Sequence, residues 1–497
     1  MQLSIRKGLL ETEKCDLLVV NACSDLKELA GAAAVVDTAL GGLVSTVMKE
    51  EGFKANLGQT VVVRTGGALF AKRVLVVGLG VKKEMDEEAV RVASAVAFQV
   101  AKSIGAKTVV SVLHGAGGGG IAGKICGKAV TEGARLAAYD FGRYKKDDRK
   151  MPKSLTFVVH DGTVARAAMS GMVVGELSAR GTIVARELVN TPARHMTPID
   201  LVDEATAIAK VTPGVRVKVY DRARLERMGA GGILGIAQGS EHAPYLVHLT
   251  YTPKKKTRKS VALVGKAITF DSGGLSLKPA NSMTTMKCDM AGAAAVLGVF
   301  SVIGEVAPGA VVHGIFGACE NMPSGTAVRP GDVLTIMNGK TVEILNTDAE
   351  GRVTLADTLT YATKQKPDAI IDLATLTGAC VVALGEEYNG LMSNDRALAE
   401  RVLTASKAAG ENTWELPLAK EYRELIKSDV ADLKNDAPRW GGALTAGLFL
   451  EEFVAGAPWV HLDIAGPAFA EHVVNAYTPK GGTGAGVRLL LEYLRGL

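Results

Sequence analysis

The sequence predicts an α/β protein with a smaller N-terminal α/β domain over residues 1–165 and a larger C-terminal α/β domain over 166–497, whose central mixed sheet is covered by helices. Three observations predict it. The chain has 497 residues, more than one hydrophobic core normally supports. Hydrophobic residues make up 47% and charged residues 22%, which is ordinary for a globular protein and far from the disordered regime. Short apolar β-like runs alternate with stretches of helical length, a spacing that reads as α/β with a largely parallel sheet.

In the first third the strand-like runs are CDLLVVNA (15–22), RVLVVGLG (73–80), TVVSVLHG (108–115) and LTFVVHD (155–161). A polar stretch, RYKKDDRKMPK (143–153), precedes the last of them. After it, GTVARAAMSGMVVGELSARGTIVARELVN (162–190) reads as one or two helices, with 166–190 as the connector. Gly115, Gly117 and Gly120 match the GxGxxG dinucleotide pattern, and Asp140 lies at about the right distance. Asp140 sits in helical-looking sequence rather than at the end of a second strand, where a ribose contact is needed, so no cofactor site is expected. A near P-loop at Gly118 to Lys124 fails because Ile125 replaces the Ser or Thr that would hold Mg²⁺.

The larger domain suggests strands at 215–221, 245–251, 260–266, 309–316, 369–374 and 459–466, and a helix around 291–304. Several are near-continuous apolar runs, the pattern of a sheet covered on both faces. In such sheets functional side chains sit just past the carboxyl ends of strands. Two places stand out. The first, VGKAITFDSGGLSLKPANSMTTMKCDMAG (264–292), begins as a buried strand and then presents Asp271, Lys278, Lys287 and Asp289. The second, VEILNTDAEGRVTLAD (342–357), alternates Asn346, Asp348, Glu350 and Arg352 with small residues, which in an extended segment points the last three to one side.

A lone D-x-E-x-R is most simply a solvated strand edge closed by a salt bridge. Here apolar flanks imply partial burial, where unpaired charge is costly. Divalent ions are the usual answer to clustered carboxylates, and Asp271, Asp289, Asp348 and Glu350 together balance two of them. No HExxH motif and no His pair at i, i+4 occurs among the eight histidines, so the ligands must be mainly oxygen. Such a set accepts Zn²⁺, Mn²⁺, Co²⁺ or Mg²⁺.

The segments GKAITFDSGGLSLKP, MKCDMAGAAAV, NTDAEGRVTLAD and DLATLTGA together resemble the leucyl aminopeptidase (cytosol aminopeptidase) family. Further similar stretches, among them ENMPSGTAVRPGDV and KGGTGAGVRLL, extend the resemblance over roughly residues 185–497. It implies a catalytic di-metal aminopeptidase domain at 166–497 that hydrolyses the N-terminal peptide bond of peptides with a free N-terminus, through a water activated by two ions, Zn²⁺ or Mn²⁺. By resemblance Asp271, Asp348 and Glu350 hold one ion, Lys266, Asp271, Asp289 and Glu350 the other, and Asp271 and Glu350 bridge. Lys266 would have to be deprotonated to offer a lone pair. Lys278 would stabilise the oxyanion and Arg352 would hold a bicarbonate as general base, with Met286, Thr375 and Gly378 shaping the substrate side-chain pocket. Ala267 and Val353 depart conservatively from the commonest family pattern. A homohexamer is implied as well.

The remaining signals are weaker. A net charge of +5 on 497 residues does not imply nucleic acid. The basic run KKKTRK (254–259), between two predicted strands, reads as a solvated hairpin turn; since some bacterial relatives bind DNA, a DNA-contacting regulatory role is the second reading. A two-metal hydrolase of another bond, such as a phosphoester, is the third. Charges interrupt the first residues before a signal-like apolar stretch forms, and no apolar run has transmembrane length, so a cytoplasmic protein without membrane contact is expected. Six scattered cysteines suggest neither disulfides nor a zinc ribbon.

Overall fold

The computed structural model describes residues 1–145 and 151–497; the middle of the polar stretch at 143–153 lies outside the described residues. The chain divides into two compact units, one of residues 1–179 with 473–479, the other of 180–472 with 480–497.

The first unit is a six-stranded sheet with helices on both faces. Its elements are β1 (Gln2–Lys7), β2 (Leu17–Ala22), α1 (Gly31–Ala39), α2 (Leu43–Glu50), β3 (Thr60–Arg64), β4 (Arg73–Gly78), α3 (Glu87–Ser103), β5 (Thr108–Val112), α4 (Gly123–Ala137) and β6 (Ser154–Val159). The strand order is β1-β6-β5-β2-β4-β3, parallel except for β3. The alternation along β2 explains the layering. Leu18 and Val20 pack with Val36 of α1 and Val44 of α2, while Leu17 and Val19 pack with residues of α3 and α4 such as Val90 and Val130. β1 and β3 were not anticipated, because edge strands bury one face at most and carry charges that hide the apolar alternation.

The segment 162–190 is one helix, α5 (Gly162–Asn190), and the division between the units falls inside it. Among the described residues no single helix is long and apolar enough to cross a membrane; Gly31–Ala39 and Leu43–Glu50 pass that test only as a pair, bent by 104°. All six cysteines are free, and every one but Cys23 is buried.

The second unit contains α6 (Pro198–Val211), β7 (Val215–Tyr220), β8 (Tyr245–Tyr251), β9 (Ser260–Asp271), α7 (Ala291–Phe300), β10 (Val311–Asn321), α8 (Glu350–Thr363), β11 (Ala369–Ala374), α9 (Gly378–Leu384), β12 (Asn389–Ser393), α10 (Arg396–Ala409), β13 (Thr413–Glu415), α11 (Gly442–Glu451), β14 (Trp459–Asp463) and α12 (Val487–Arg495). Its eight-stranded mixed sheet has the order β13-β12-β14-β11-β9-β10-β8-β7. The four central strands β14, β11, β9 and β10 are parallel, so their carboxyl ends lie along one edge.

One sequence expectation fails here for a topological reason. Residues 254–259 do not form a hairpin turn. β10 lies between β8 and β9 in the sheet, so the basic run connects strands that do not pair with each other.

Candidate metal centre

The chemistry gathers at the carboxyl ends of the central strands. Lys266 lies within β9 and Asp271 ends it. Five residues apart, they would face opposite sides of a regular strand. The register against β10 pairs Ile268 with Cys319 but Asp271 with Asn321, so β9 carries one extra residue there. That bulge restores the parity and allows both side chains to reach one site.

Asp289 sits in a 3-10 turn (Met286–Met290) that leads directly into α7. Asp348 lies just before α8, and Glu350 is the first residue of that helix. Here the period-two reading of Asp348, Glu350 and Arg352 is corrected, because Glu350 and Arg352 belong to the first turn of a buried helix. The run EGRVTLADTL suits either conformation locally, and the positive end of a helix dipole favours Glu350 where it stands.

Lys266 Nζ lies 2.7 Å from Asp289 Oδ1 and 2.7 Å from Glu350 Oε1, and donates to the Thr375 carbonyl at 2.9 Å. Lys278 Nζ lies 2.9 Å from Asp271 Oδ2 and 2.6 Å from Asp348 Oδ1. One ligand atom each from Asp271, Asp348 and Glu350 falls within 4.8 Å of the others. The Thr375 hydroxyl donates to Asp289 Oδ1 at 2.7 Å.

Four carboxylates thus surround two ammonium groups, and the cluster is short of positive charge. Burial first, and then carboxylate repulsion, raises the pKa of Asp271, Asp289 and Asp348 above the usual range, against the opposing pull of the lysines. Burial lowers the pKa of Lys266 and Lys278, but the surrounding carboxylates outweigh it and hold both well above an ordinary lysine. Asp289 Oδ2 and Glu350 Oε2 are buried without a hydrogen-bond partner. Orphaned carboxylate oxygens in a cluster short of cations fit divalent metal ions.

Arg352, only 8% exposed, has a buried Nε without a hydrogen-bond partner. Burial depresses its pKa against the pull of Asp436, Glu350 and Asp463, but a guanidinium stays charged in a protein. Met286 is half-buried at the start of the 3-10 turn, and Gly378 is exposed at the start of α9.

Sequence reasoning missed the residues that orient this cluster. Asn321 Nδ2, buried at the end of β10, donates to Asp271 Oδ1 at 2.8 Å and to the Thr347 carbonyl at 3.0 Å. The Thr347 hydroxyl donates to the Gly273 carbonyl at 2.6 Å and accepts from the Ser276 amide at 2.8 Å. These bonds tie the loop carrying Lys278 to the loop carrying Asp348. An Asn and a Thr at strand and loop ends have no distinctive sequence pattern, so only their place in the fold identifies them.

Gly351 sets the depth of Lys266. A Cβ at position 351 would stand 2.4 Å from Lys266 Cε and 2.6 Å from Nζ. Because Lys266 is pinned by three partners, Gly351→Ala is expected to displace the amine and lower kcat/KM by roughly 10²-fold, with little change in thermal unfolding. Full activity in that variant would show that the position of Lys266 does not matter.

Comparison with known proteins gives the following. The model of the cytosol aminopeptidase family's catalytic domain matches residues 183–491, and that of its N-terminal domain matches 19–148. A probable cytosol aminopeptidase of Alkaliphilus oremlandii is 43% identical over 100% of both chains. Among solved structures, a mutant of tomato leucine aminopeptidase is 35% identical, with a TM-score of 0.90 over 100% of this chain and 97% of that one. The bottromycin maturation enzyme BotP in complex with Mn is 37% identical, with a TM-score of 0.85 over 97% of this chain and 99% of that one.

Proposed function

This chain belongs to the cytosol aminopeptidase family of metallo-exopeptidases, and on that premise we propose that it releases N-terminal residues from peptides at a centre built by Lys266, Asp271, Asp289, Asp348 and Glu350. In this reading Asp271, Asp348 and Glu350 hold one divalent ion, and Lys266, Asp271, Asp289 and Glu350 a second, either Mn²⁺ or Zn²⁺. When bound, the ions would supply a Lewis acid for the scissile carbonyl and make a water nucleophilic near neutral pH.

The protein's own groups have separable duties. Asn321 fixes Asp271 through one oxygen and leaves the other facing Lys278. Lys278, held charged by Asp271, Asp348 and Glu350, is the ammonium donor for the carbonyl oxygen as that oxygen gains negative charge. Arg352, a buried guanidinium with a free Nε, offers the planar fork that would hold a bicarbonate as general base. Lys266 must lose its proton to serve as a ligand, and competition from divalent ions for Asp289 and Glu350 would favour that loss. Met286, Thr375 and Gly378 border the pocket for the substrate's first side chain.

The observation that carries the reading is the charge deficit of this buried cluster together with its unpartnered oxygens. When bound, an ion there would also accept the lone pair of a free terminal amine. Acetylating the N-terminus of a peptide withdraws that lone pair and adds bulk, and should lower kcat/KM by roughly tenfold to a hundredfold, measured by release of the first residue from free and acetylated forms of one peptide. Equal turnover of the two would point to a hydrolase that ignores the chain terminus. Family membership also supports a cytosolic homohexamer, and exposed Val382, Trp414 and Trp440 are the kind of apolar surface that assembly would cover. Gel filtration with light scattering tests it.

A further inference from the structure

The four carboxylates of the centre are not equally enclosed. The side chains of Glu350, Asp271 and Asp289 are 1%, 3% and 5% exposed, whereas that of Asp348 is 33% exposed. Packing therefore places the first three, and the place of Asp348 depends on the loop that carries it. That loop, residues 344–349, joins the strand Thr341–Glu343 to α8 and contains no helix or strand of its own. Thr347 ties it to the Lys278 loop on one side. A second tie comes from a segment far along the chain, residues 432–435.

The strand Leu433–Lys434 runs parallel to Thr341–Glu343, with Val342 opposite Leu433 and Glu343 opposite Lys434. Asp432 secures the start of this pairing, accepting from the Thr341 amide and hydroxyl, both at 2.8 Å. Asn435 N closes it, donating to Glu343 O at 3.0 Å. Strand pairing goes no further, and the side chain of Asn435 takes over the hydrogen bonding. Its Oδ1 accepts from the Leu345 amide at 2.9 Å and the Asn346 amide at 3.3 Å. Its Nδ2 donates to the Asn346 carbonyl at 2.7 Å and the Ala349 carbonyl at 3.3 Å. A primary amide has two donors and two acceptor lone pairs, so this fully buried side chain is saturated by one loop. The carbonyls it holds belong to residues two before and one after Asp348. Asn346 passes the constraint on, its own Oδ1 accepting from the Asp348 amide at 2.9 Å.

Among the described residues the hydrogen bonds of Asn435 reach only Glu343, Leu345, Asn346 and Ala349, and none of the segments that carry Lys266, Asp271 or Asp289. We propose that Asn435 is a positioning residue of the metal centre: its side-chain amide fixes where Asp348 stands and so sets the affinity for the one ion that Asp348 holds. This role rests on the two ligand sets proposed above, and it makes the two ions depend on different parts of the chain. An acid at position 435 would keep the acceptor for the two amides but turn oxygen lone pairs toward the Asn346 and Ala349 carbonyls. The amide nitrogen is therefore the part that matters.

Calorimetric titration of the metal-free full chain with Mn²⁺, in the unaltered protein, Asn435→Ala and Asn435→Asp, tests this. Loss of a residue that orients a ligand typically costs about 10–100-fold in metal affinity. One of the two binding steps is expected to weaken by that factor in both variants while the other is retained. Peptide hydrolysis should recover as Mn²⁺ is raised, its midpoint shifted by the same factor, which damage to the fold would not allow. If Asn435→Ala does not fold, Asn435→Asp decides alone, since it keeps the shape and two of the four side-chain bonds. Unchanged affinity at both steps, equal weakening of both, or activity that excess Mn²⁺ does not restore would each overturn the proposal. Failure of both variants to fold would overturn it too, since the amide would then serve the fold and not the ion. Fewer than two steps in the unaltered chain would overturn the ligand sets themselves, and the role of Asn435 with them.

Discussion

Lys278→Ala is expected to lower kcat by roughly 10²–10³-fold while leaving both metal ions in place. The lysine bridges Asp271 Oδ2 and Asp348 Oδ1 without being one of the proposed ligands, and its half-buried position leaves it accessible to a substrate carbonyl. Its removal takes one positive charge from a cluster already short of it, so divalent ions should bind at least as well as before. Elemental analysis beside steady-state kinetics reads both quantities. Loss of metal, or nearly full activity, would contradict the oxyanion role.

Asp289→Ala should behave in the opposite manner, with metal content and activity falling together. Asp289 accepts from Lys266 and Thr375 through Oδ1 and keeps Oδ2 buried without a partner. A residue that merely orients a ligand typically costs about 10–100-fold in metal affinity when lost, and loss of a ligand should cost more. Removing one member of a buried ion pair also costs roughly 3–5 kcal/mol, so folding must be followed separately. Asp289→Asn controls for that cost by keeping the shape. Normal metal content in both variants would remove Asp289 from the ligand set.

The parts of this account that were legible in the sequence share a physical cause. The apolar runs at 245–251 and 369–374 coincide with β8 and β11, because buried strands admit little but apolar side chains. The acidic and basic residues of the centre stood out because charge beside such runs is costly unless something compensates it. What remained hidden depended on geometry between segments. The extra residue in β9 that brings Lys266 and Asp271 to one side exists only against the register of β10. Asn321 and Thr347 matter only because two loops close on each other. The short edge strand Thr413–Glu415 and its neighbour Asn389–Ser393 carried too few residues for a period to be read. The period was misread at Glu350 and Arg352, which stand in the first turn of a helix; their charges rather than their spacing had singled them out.

The central claim is that one buried cluster of four carboxylates and Lys266 holds two divalent ions. The most direct test is metal stoichiometry, measured by native mass spectrometry and elemental analysis after metal-free protein is dialysed against Mn²⁺ or Zn²⁺. Two ions per chain are expected, with peptide hydrolysis recovered as the sites fill and at least one ion lost in Asp289→Ala. A single ion per chain at full activity, or two ions retained in Asp289→Ala, would contradict the account.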